Sequence, residues 1–131
     1  MGSSLQGEDM ETKTGTCHCG AVTFEVDLDN GLENLRRCNC SLCRRKGAIM
    51  MGVPETRIRI ISGAEHLSMY QWNTRVAEHF FCSHCGIYTH HRRRSNPREF
   101  GVNIGCLHGV DPLACTDVTV VDGGSLTVVG S

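Results

Sequence analysis

Seven of the nine cysteines in this 131-residue chain occur in three clusters whose spacing suits a metal ion. In chain order the clusters hold Cys17 and Cys19, then Cys38, Cys40 and Cys43, then Cys82 and Cys85. Thiolates on a tetrahedral zinc lie about 3.8 Å apart, and both Cys-x-Cys and Cys-x-x-Cys reach this separation in a bent strand or a tight turn. The odd cysteine count and the polar N-terminus argue against a secreted disulfide scaffold. We therefore interpret the clusters as metal ligands rather than as buried free thiols.

The clusters divide into two sites of different kinds. We call Cys17, Cys19, Cys82 and Cys85 the four-thiol group, and Cys38, Cys40 and Cys43 the three-thiol group. Four protein ligands are typical of a structural zinc, whereas three leave a position for substrate, as in catalytic sites. The reverse partition would leave one member of a pair without a metal. We expect two zinc ions per chain, with the three-thiol group as the catalytic one, and Gly86 permits the positive φ that the turn after Cys85 needs.

Short apolar or alternating segments, separated by many of the 15 glycines, predict a small all-β domain. The expected strands cover residues 21–28, 48–53, 57–61, 66–72, 76–81, 100–107 and 118–121. The one expected helix is a short turn over Ser41–Lys46, capped by Ser41 and ended by Gly47, and residues 73–74 are an expected turn. Residues 1–13 are predicted to form a flexible polar tail, and residues 14–131 a single domain.

Composition limits the classes of function. A net charge of −1 and a pI near 6.6 disfavour a general nucleic-acid binder. No run of about 18 apolar residues is present, so we expect no membrane span. Charged residues make up 21% of the chain and hydrophobic residues 40%, which predicts a folded domain rather than a disordered one. Clustered reduced cysteines favour a cytoplasmic location.

Four blocks of sequence carry a resemblance to a known family. They are GTCHCGAV at 15–22, CNCSLCRRKG at 38–47, FCSHCG at 81–86, and SNP at 95–97 leading to VNIGCL at 102–107. In this order they resemble the glutathione-dependent formaldehyde-activating family, also called the CENP-V/GFA domain family. The resemblance covers roughly residues 14–112. It implies an Mss4-like zinc-binding fold, a β-tent of small antiparallel sheets, with two zinc ions partitioned as above.

The resemblance also implies an activity. The family joins glutathione to formaldehyde to give S-(hydroxymethyl)glutathione, a reaction of the carbon–sulfur lyase class. A three-thiolate zinc is a weak Lewis acid but can hold a substrate thiol as a thiolate nucleophile, which suits this chemistry. The expected partners are therefore glutathione, or a similar thiol, and formaldehyde; the oligomeric state is left open.

Two alternatives remain. One is a non-enzymatic zinc module that binds a protein or nucleic acid, as chromatin-associated relatives imply. The other is a methionine sulfoxide reductase, which shares the fold type. The zinc of that enzyme uses two Cys-x-x-Cys pairs, whereas this chain has two Cys-x-Cys elements and a three-cysteine cluster.

Several residues outside the thiol groups are candidates for substrate contact. Arg44 and Arg45, followed by Lys46, come directly after the three-thiol group, and one of these three cations could bind an anion. His79 lies three residues before Cys82. Cys106 lies in the last family-like block and could approach the second zinc as a resolving thiol or a fourth ligand. Cys115 is interpreted as incidental.

A run of arginines and a pair of adjacent histidines are interpreted as structural rather than as substrate contacts. The arginines at 92–94 could bind the carboxylates of glutathione, or phosphates, but the run is predicted to form a solvated turn, because charge runs usually do. His90 and His91 are adjacent, so on a strand they would face opposite ways and could not easily serve one metal.

Overall fold

A computed structural model describes residues 10–29, 31–72 and 75–121 of the chain. These ranges contain ten strands and one short α-helix, which confirms the all-β prediction. The strands are β1 (Glu11–Thr16), β2 (Thr23–Leu28), β3 (Leu35–Cys38), β4 (Met50–Pro54), β5 (Ile58–Ser62), β6 (Leu67–Tyr70), β7 (Glu78–Cys82), β8 (Tyr88–Arg92), β9 (Glu99–Asn103) and β10 (Thr119–Val121). The helix α1 (Ser41–Lys46) connects β3 to β4. Within the described ranges, no helix has the length and apolar character needed to cross a bilayer.

The strands form two sheets. The smaller sheet has the order β1-β2-β5, and the larger has the order β10-β3-β4-β9-β8-β7-β6. Neighbouring strands are antiparallel, as expected, except that β10 pairs parallel to β3. A parallel pair needs a long connection, and all the other strands of the larger sheet lie between β3 and β10 in the sequence.

The core lies between the two sheets. Along β2, Phe24, Val26 and Leu28 are buried, and the residues between them are partly exposed, which is the period of two of a strand covered on one face. They pack in one cluster with residues of β4 and β9, namely Met51, Val53, Phe100 and Val102. Because alternation sends these residues inward, the intervening residues of β4 and β9 lie on the opposite face of the larger sheet.

That opposite face carries a row of residues in register across four strands. His79 of β7 is paired with His91 of β8, and His91 is paired with Gly101 of β9. Gly101 is in turn paired with Gly52 of β4. A Cβ on Gly101 would lie 2.4 Å from Cε1 of His91, and one on Gly52 would lie 2.1 Å from Nη2 of Arg36. The two glycines therefore leave space for the His91 and Arg36 side chains to lie across the sheet.

Two local predictions need correction. Strand β1 begins at Glu11, inside the segment assigned to the tail, because its residues pair with β2 over its whole length. The N-cap of α1 is Cys40 rather than Ser41, and the Cys40 side chain accepts from the backbone amide of Cys43. Propensity rules favour serine as a cap, but here the first turn is organised around thiols. Gly47 ends the helix at φ 67°, as predicted.

Besides β1, two strands were not predicted from the sequence. β3 (LRRC) and β8 (YTHHR) contain mostly basic residues and histidine, so neither shows an apolar pattern. Both are interior strands of the larger sheet, so pairing on both sides specifies them. The strand expected over 100–107 ends at Asn103, whose side chain accepts from the amide of Gly105 and starts a 3-10 turn. The turn expected at 73–74 lies outside the described residues.

Candidate functional site

The four-thiol group brings together two turns that are far apart in sequence. Cys17 and Cys19 lie in the turn between β1 and β2, and Cys82 and Cys85 lie at the end of β7 and in the turn after it. The four Sγ atoms all lie within 4.8 Å of one another. Sγ of Cys19 is 3.7 Å from Sγ of Cys17 and 3.7 Å from Sγ of Cys82. These separations match the roughly 3.8 Å between thiolates on a tetrahedral zinc.

Backbone amides in both turns point at these sulfurs. The amide of Val22 is 3.3 Å from Sγ of Cys17, and the amide of His84 is 3.3 Å from Sγ of Cys82. Gly86 has φ 78°, as predicted, and its amide closes the second turn on the carbonyl of Cys82 at 2.8 Å. Such N–H donors orient thiolate ligands and offset their charge. The arrangement suits a closed, structural metal site.

The three-thiol group lies where β3 meets α1. Cys38 ends β3, Cys40 caps α1, and Cys43 lies in its first turn. Their Sγ atoms lie within 4.8 Å of one another. The amide of Cys40 donates to Sγ of Cys38 at 3.5 Å, and the amide of Cys43 donates to Sγ of Cys40 at 3.4 Å. No other Cys, His, Asp or Glu in the part of the chain described here joins this group.

The donor chemistry of both groups fits a metal ion. All nine cysteines are free of disulfides. Burial, followed by the charges of Cys40 and Cys38, raises the pKa of Cys43, so neighbouring thiolates at this site need a cation to coexist. Sets of soft thiolates select zinc and a few similar ions. The residues present can therefore hold two metal ions.

The three-thiol group forms part of the wall of a pocket on the face of the larger sheet opposite the core. Four cationic side chains also line this pocket, namely Arg36, Lys46, Arg93 and Arg94. Arg36 and Arg93 both contact the carboxylate of Glu99, at 3.3 Å for Arg36. Arg94 is exposed and forms no ion pair with any residue that the structure describes. The excess of positive charge suits an anionic ligand.

Two histidines and a tyrosine complete the polar part of the lining. Burial lowers the pKa of His79 to about 4 and the pKa of His91 to about 3, so both rings are neutral at physiological pH. Oη of Tyr88 and Nδ1 of His91 form a hydrogen bond of 2.5 Å. The two imidazole rings stack with their centroids 5.3 Å apart. Burial raises the pKa of Tyr88 and keeps its hydroxyl protonated.

Lys46 is the buried cation of the pocket. Its Nζ lies 3.3 Å from the centroid of the Tyr88 ring. This Nζ is buried and has no hydrogen-bond partner among the described residues. Burial lowers the pKa of Lys46 to about 8, against the opposing influence of Cys43 and Cys40. The ammonium is therefore mainly charged at neutral pH.

Among the residues predicted to contact substrate, His79 and Lys46 line the pocket and the two arginines do not. Arg44 is exposed on α1. Nη1 of Arg45 donates to the carbonyl of Ser41 at 2.8 Å, and the side chain lines a neighbouring groove instead. Successive helical residues point about 100° apart, so only Lys46 of the three consecutive cations turns towards the thiols.

Cys106 also lies elsewhere. Its thiol is buried in the core and lies 3.6 Å from the carbonyl of Tyr88. Burial raises its pKa to about 12, and the charges that act on it are those of Cys17 and Cys85. It belongs neither to the three-thiol group nor to the pocket lining, so the predicted approach to the second metal is not met.

The run at 92–94 is a solvated turn only in part, because Arg92 is the last residue of β8 whereas Arg94 is exposed in the bend after it. Arg92 faces the core side, 4.6 Å from the Phe100 ring centroid, and donates to Glu78 at 3.0 Å and to Glu55 at 3.2 Å. Arg93, one residue later, faces the pocket. The period of two along β8 could have separated the two roles, had β8 been recognised as a strand.

The same alternation separates the adjacent histidines, as predicted. His90 stacks between Phe80 and Phe100, with ring centroids 4.6 and 5.7 Å away, whereas His91 turns to the pocket. Arg36 was not considered from the sequence. Its only sequence signal is its position two residues before Cys38, which puts both on one face of β3.

Comparisons with known proteins agree with this architecture. A sequence profile described as "Glutathione-dependent formaldehyde-activating enzyme" matches residues 12–119. A Halomonas elongata protein that bears the same family name is 37% identical over 79 residues, which cover 54% of this chain and 50% of that protein. The chain thus spans about half the length of this curated relative.

A solved structure supports the fold. The crystal structure of a Rhodobacter sphaeroides protein is 54% identical in sequence, with a TM-score of 0.79 over 82% of this chain and 99% of that one. The matched profile covers both thiol groups and eight of the ten strands in full. The chain therefore belongs to the glutathione-dependent formaldehyde-activating enzyme family.

Proposed function

We propose that this protein is a zinc-dependent enzyme of the carbon–sulfur lyase class that acts on glutathione or a similar thiol, with S-(hydroxymethyl)glutathione formation as the reaction. One observation carries the proposal. The three-thiol group, which has no fourth protein ligand among the described residues, lines a pocket rich in positive charge. The four-thiol group has a full set of ligands and is assigned to a structural role.

Zinc is the metal we assign to both groups, because thiolate sets of this kind favour it. Bound by Cys38, Cys40 and Cys43, it would supply a position that holds the substrate's sulfur as a thiolate. The remaining requirements fall on the protein itself. These are binding the anionic thiol, orienting it, and stabilising the charge that develops when it reacts.

The arginines of the pocket are suited to binding the substrate's carboxylates. Glutathione carries two carboxylates, and a planar guanidinium binds a carboxylate through paired hydrogen bonds. Glu99 holds Arg36 and Arg93 on the sheet, whereas Arg94 is free of ion pairs with described residues. His79 and His91 contribute neutral rings, so the positive charge of the pocket comes from its arginines and Lys46.

The reaction balances without any redox partner. The glutathione sulfur adds to the carbon of formaldehyde, so a sulfur–carbon bond forms and the carbonyl π bond breaks. The electron pair moves to oxygen, and the resulting alkoxide takes a proton from solvent. This proton replaces the one that the thiol lost to solvent when it became a thiolate.

Location and partners follow from the same chemistry. Thiol ligands need a reducing compartment, and glutathione is abundant in the cytoplasm, so we propose a cytoplasmic enzyme. A small-molecule thiol and formaldehyde are the partners assigned, and the near-neutral net charge makes nucleic acid a poor candidate.

Cobalt substitution combined with an adduct assay tests the proposal. Cobalt–thiolate absorption should change on adding glutathione and change much less with S-methylglutathione, which offers no thiolate. Formation of the adduct from labelled formaldehyde, followed by NMR, should exceed the uncatalysed rate. Cys40→Ser should abolish both signals, whereas Cys115→Ser, a thiol outside both groups, should retain them.

The two measurements separate the ways of failing. A spectral response to glutathione without faster adduct formation would mean that the thiol site exists and that formaldehyde is not the substrate. No response to either compound would favour the non-enzymatic zinc module.

A further inference from the structure

Lys46 has an unusual environment for a charged side chain. Its Nζ is buried and donates no hydrogen bond to any of the described residues. Lysine is almost never buried without a counter-charge or a hydrogen bond, because an unpaired ammonium loses its hydration without compensation. Its one contact of note is the face of the Tyr88 ring, 3.3 Å from the centroid. None of the three N–H donors of Lys46 is therefore used by a described residue, and the side chain lines the pocket.

The surface beneath Lys46 is itself held in place. The Tyr88 hydroxyl is hydrogen-bonded to Nδ1 of His91 at 2.5 Å, and the His91 ring stacks on His79. Because Gly101 has no side chain, the His91 ring can lie against it; a Cβ at this position would lie 2.4 Å from the ring. Four strand positions thus cooperate to fix the aromatic face that Lys46 contacts. A preorganised donor of this kind can stabilise developing charge without first being reoriented.

The other charges of the pocket do not neutralise Lys46. His79 and His91 are neutral, and Glu99, the only carboxylate among the described residues that pairs with pocket arginines, contacts Arg36 and Arg93 instead. The negative charges that act on the pKa of Lys46 are those of the thiols, Cys43 and Cys40. An anion that enters the pocket attached to a thiol would therefore lie near both the sulfur-binding group and this cation.

We propose that Lys46 is a catalytic residue that binds the anionic oxygen formed beside the substrate's sulfur. This inference rests on the proposed function. When the substrate thiolate adds to the carbonyl carbon, the π electron pair moves to oxygen, and the Lys46 ammonium donates a hydrogen bond to that alkoxide. Solvent then supplies the proton that completes the hydroxymethyl group. Lys46 keeps its own proton throughout.

A pair of small thiols tests the binding role without turnover. Thioglycolate and 2-mercaptoethanol place an oxygen at the same distance along the chain from sulfur, but only the first oxygen is anionic. In the cobalt-loaded protein, thioglycolate should bind about 10-fold more tightly or better, as expected for a hydrogen bond between charged groups. Lys46→Met should reduce this preference to less than about 3-fold. Arg44→Met, which removes an exposed cation from the same helix, should leave it within about 2-fold of wild type.

Kinetics and metal content test the catalytic role. Lys46→Met should retain two metal ions and the wild-type melting temperature, lower kcat for adduct formation by about 100-fold, and change the KM for glutathione less than about 3-fold. Lys46→Arg, which keeps the charge, should recover part of kcat. A purely structural lysine would instead lower the melting temperature or the metal content.

The outcomes separate this inference from the proposed function. If Lys46→Met keeps the wild-type preference for thioglycolate, or loses activity only together with metal, the role of Lys46 is refuted and the thiol site stands. If neither thiol perturbs the wild-type metal, the thiol site itself is refuted, and the role of Lys46 falls with it.

Discussion

Gly101→Ala should destabilise the protein through a side chain on the neighbouring strand. The added Cβ would lie 2.4 Å from Cε1 and 2.9 Å from Nδ1 of His91. Carbon atoms in contact lie at about 3.5 Å or more, so the ring must move by roughly 1 Å. Its hydrogen bond to Tyr88 and its stack on His79 oppose that movement.

The magnitude follows from three contributions. Overpacking of a well-packed site costs about 1–3 kcal/mol. Weakening the hydrogen bond between Tyr88 and His91 adds about 0.5–1.5 kcal/mol. The lower chain entropy of unfolded alanine offsets about 0.4–1 kcal/mol. We therefore expect Gly101→Ala to lower the free energy of unfolding by about 2 kcal/mol.

Urea denaturation at matched metal content measures this loss, and Gly105→Ala is the control. A Cβ at Gly105 would meet Oδ1 of Asn103 at 3.3 Å and Cγ of Pro112 at 3.5 Å, which is close to ordinary contact. Gly105→Ala should therefore stay within about 1 kcal/mol of wild type. Equal stability of the two variants would show that His91 can move without loss, and the reasoning about a fixed aromatic support would be wrong.

Three further predictions concern other parts of the molecule. Cys82→Ser should lower the melting temperature strongly, because a structural zinc contributes its binding free energy to folding. Cys40→Ser should remain folded and retain one metal ion by elemental analysis. An equal loss of stability in the two variants would mean that both sites are structural. Burial lowers the pKa of His90 to about 4, so its share of stability is present above about pH 6.5 and lost as the pH falls towards 4. The free energy of unfolding of His90→Phe should therefore fall less than that of wild type between these values, and parallel curves would contradict this. Arg92→Met should lower the free energy of unfolding by about 1 kcal/mol in urea, since it loses bonds to two partly exposed carboxylates, while Arg94→Met should change it little.

The cysteine spacing by itself determined which thiols can meet. Cys-x-Cys and Cys-x-x-Cys are local geometry, so the two groups found in the structure could be proposed from the sequence. The glycine at position 86 and the helix end at Gly47 were also predictable, because a positive φ is a local demand. Strands such as β2 were predictable because burial on one face imposes a period of two.

The surroundings of the three-thiol group depended on long-range pairing. Register places His79 beside His91 and His91 beside Gly101, and residues of three separate strands meet in this way. Strand β8 carries no apolar pattern of its own, so the roles of Arg92 and Arg93 could not be separated before the sheet was known.

The helix supplies the last example. Arg44, Arg45 and Lys46 are alike in sequence, and only the packing of α1 decides that it is the charged end of Lys46 that is buried over the Tyr88 ring. The sequence therefore predicted the two thiol groups, because the chelating spacing within each cluster is local. Tertiary structure alone decided which charges line the pocket, because it is sheet register and helix packing that bring those residues together.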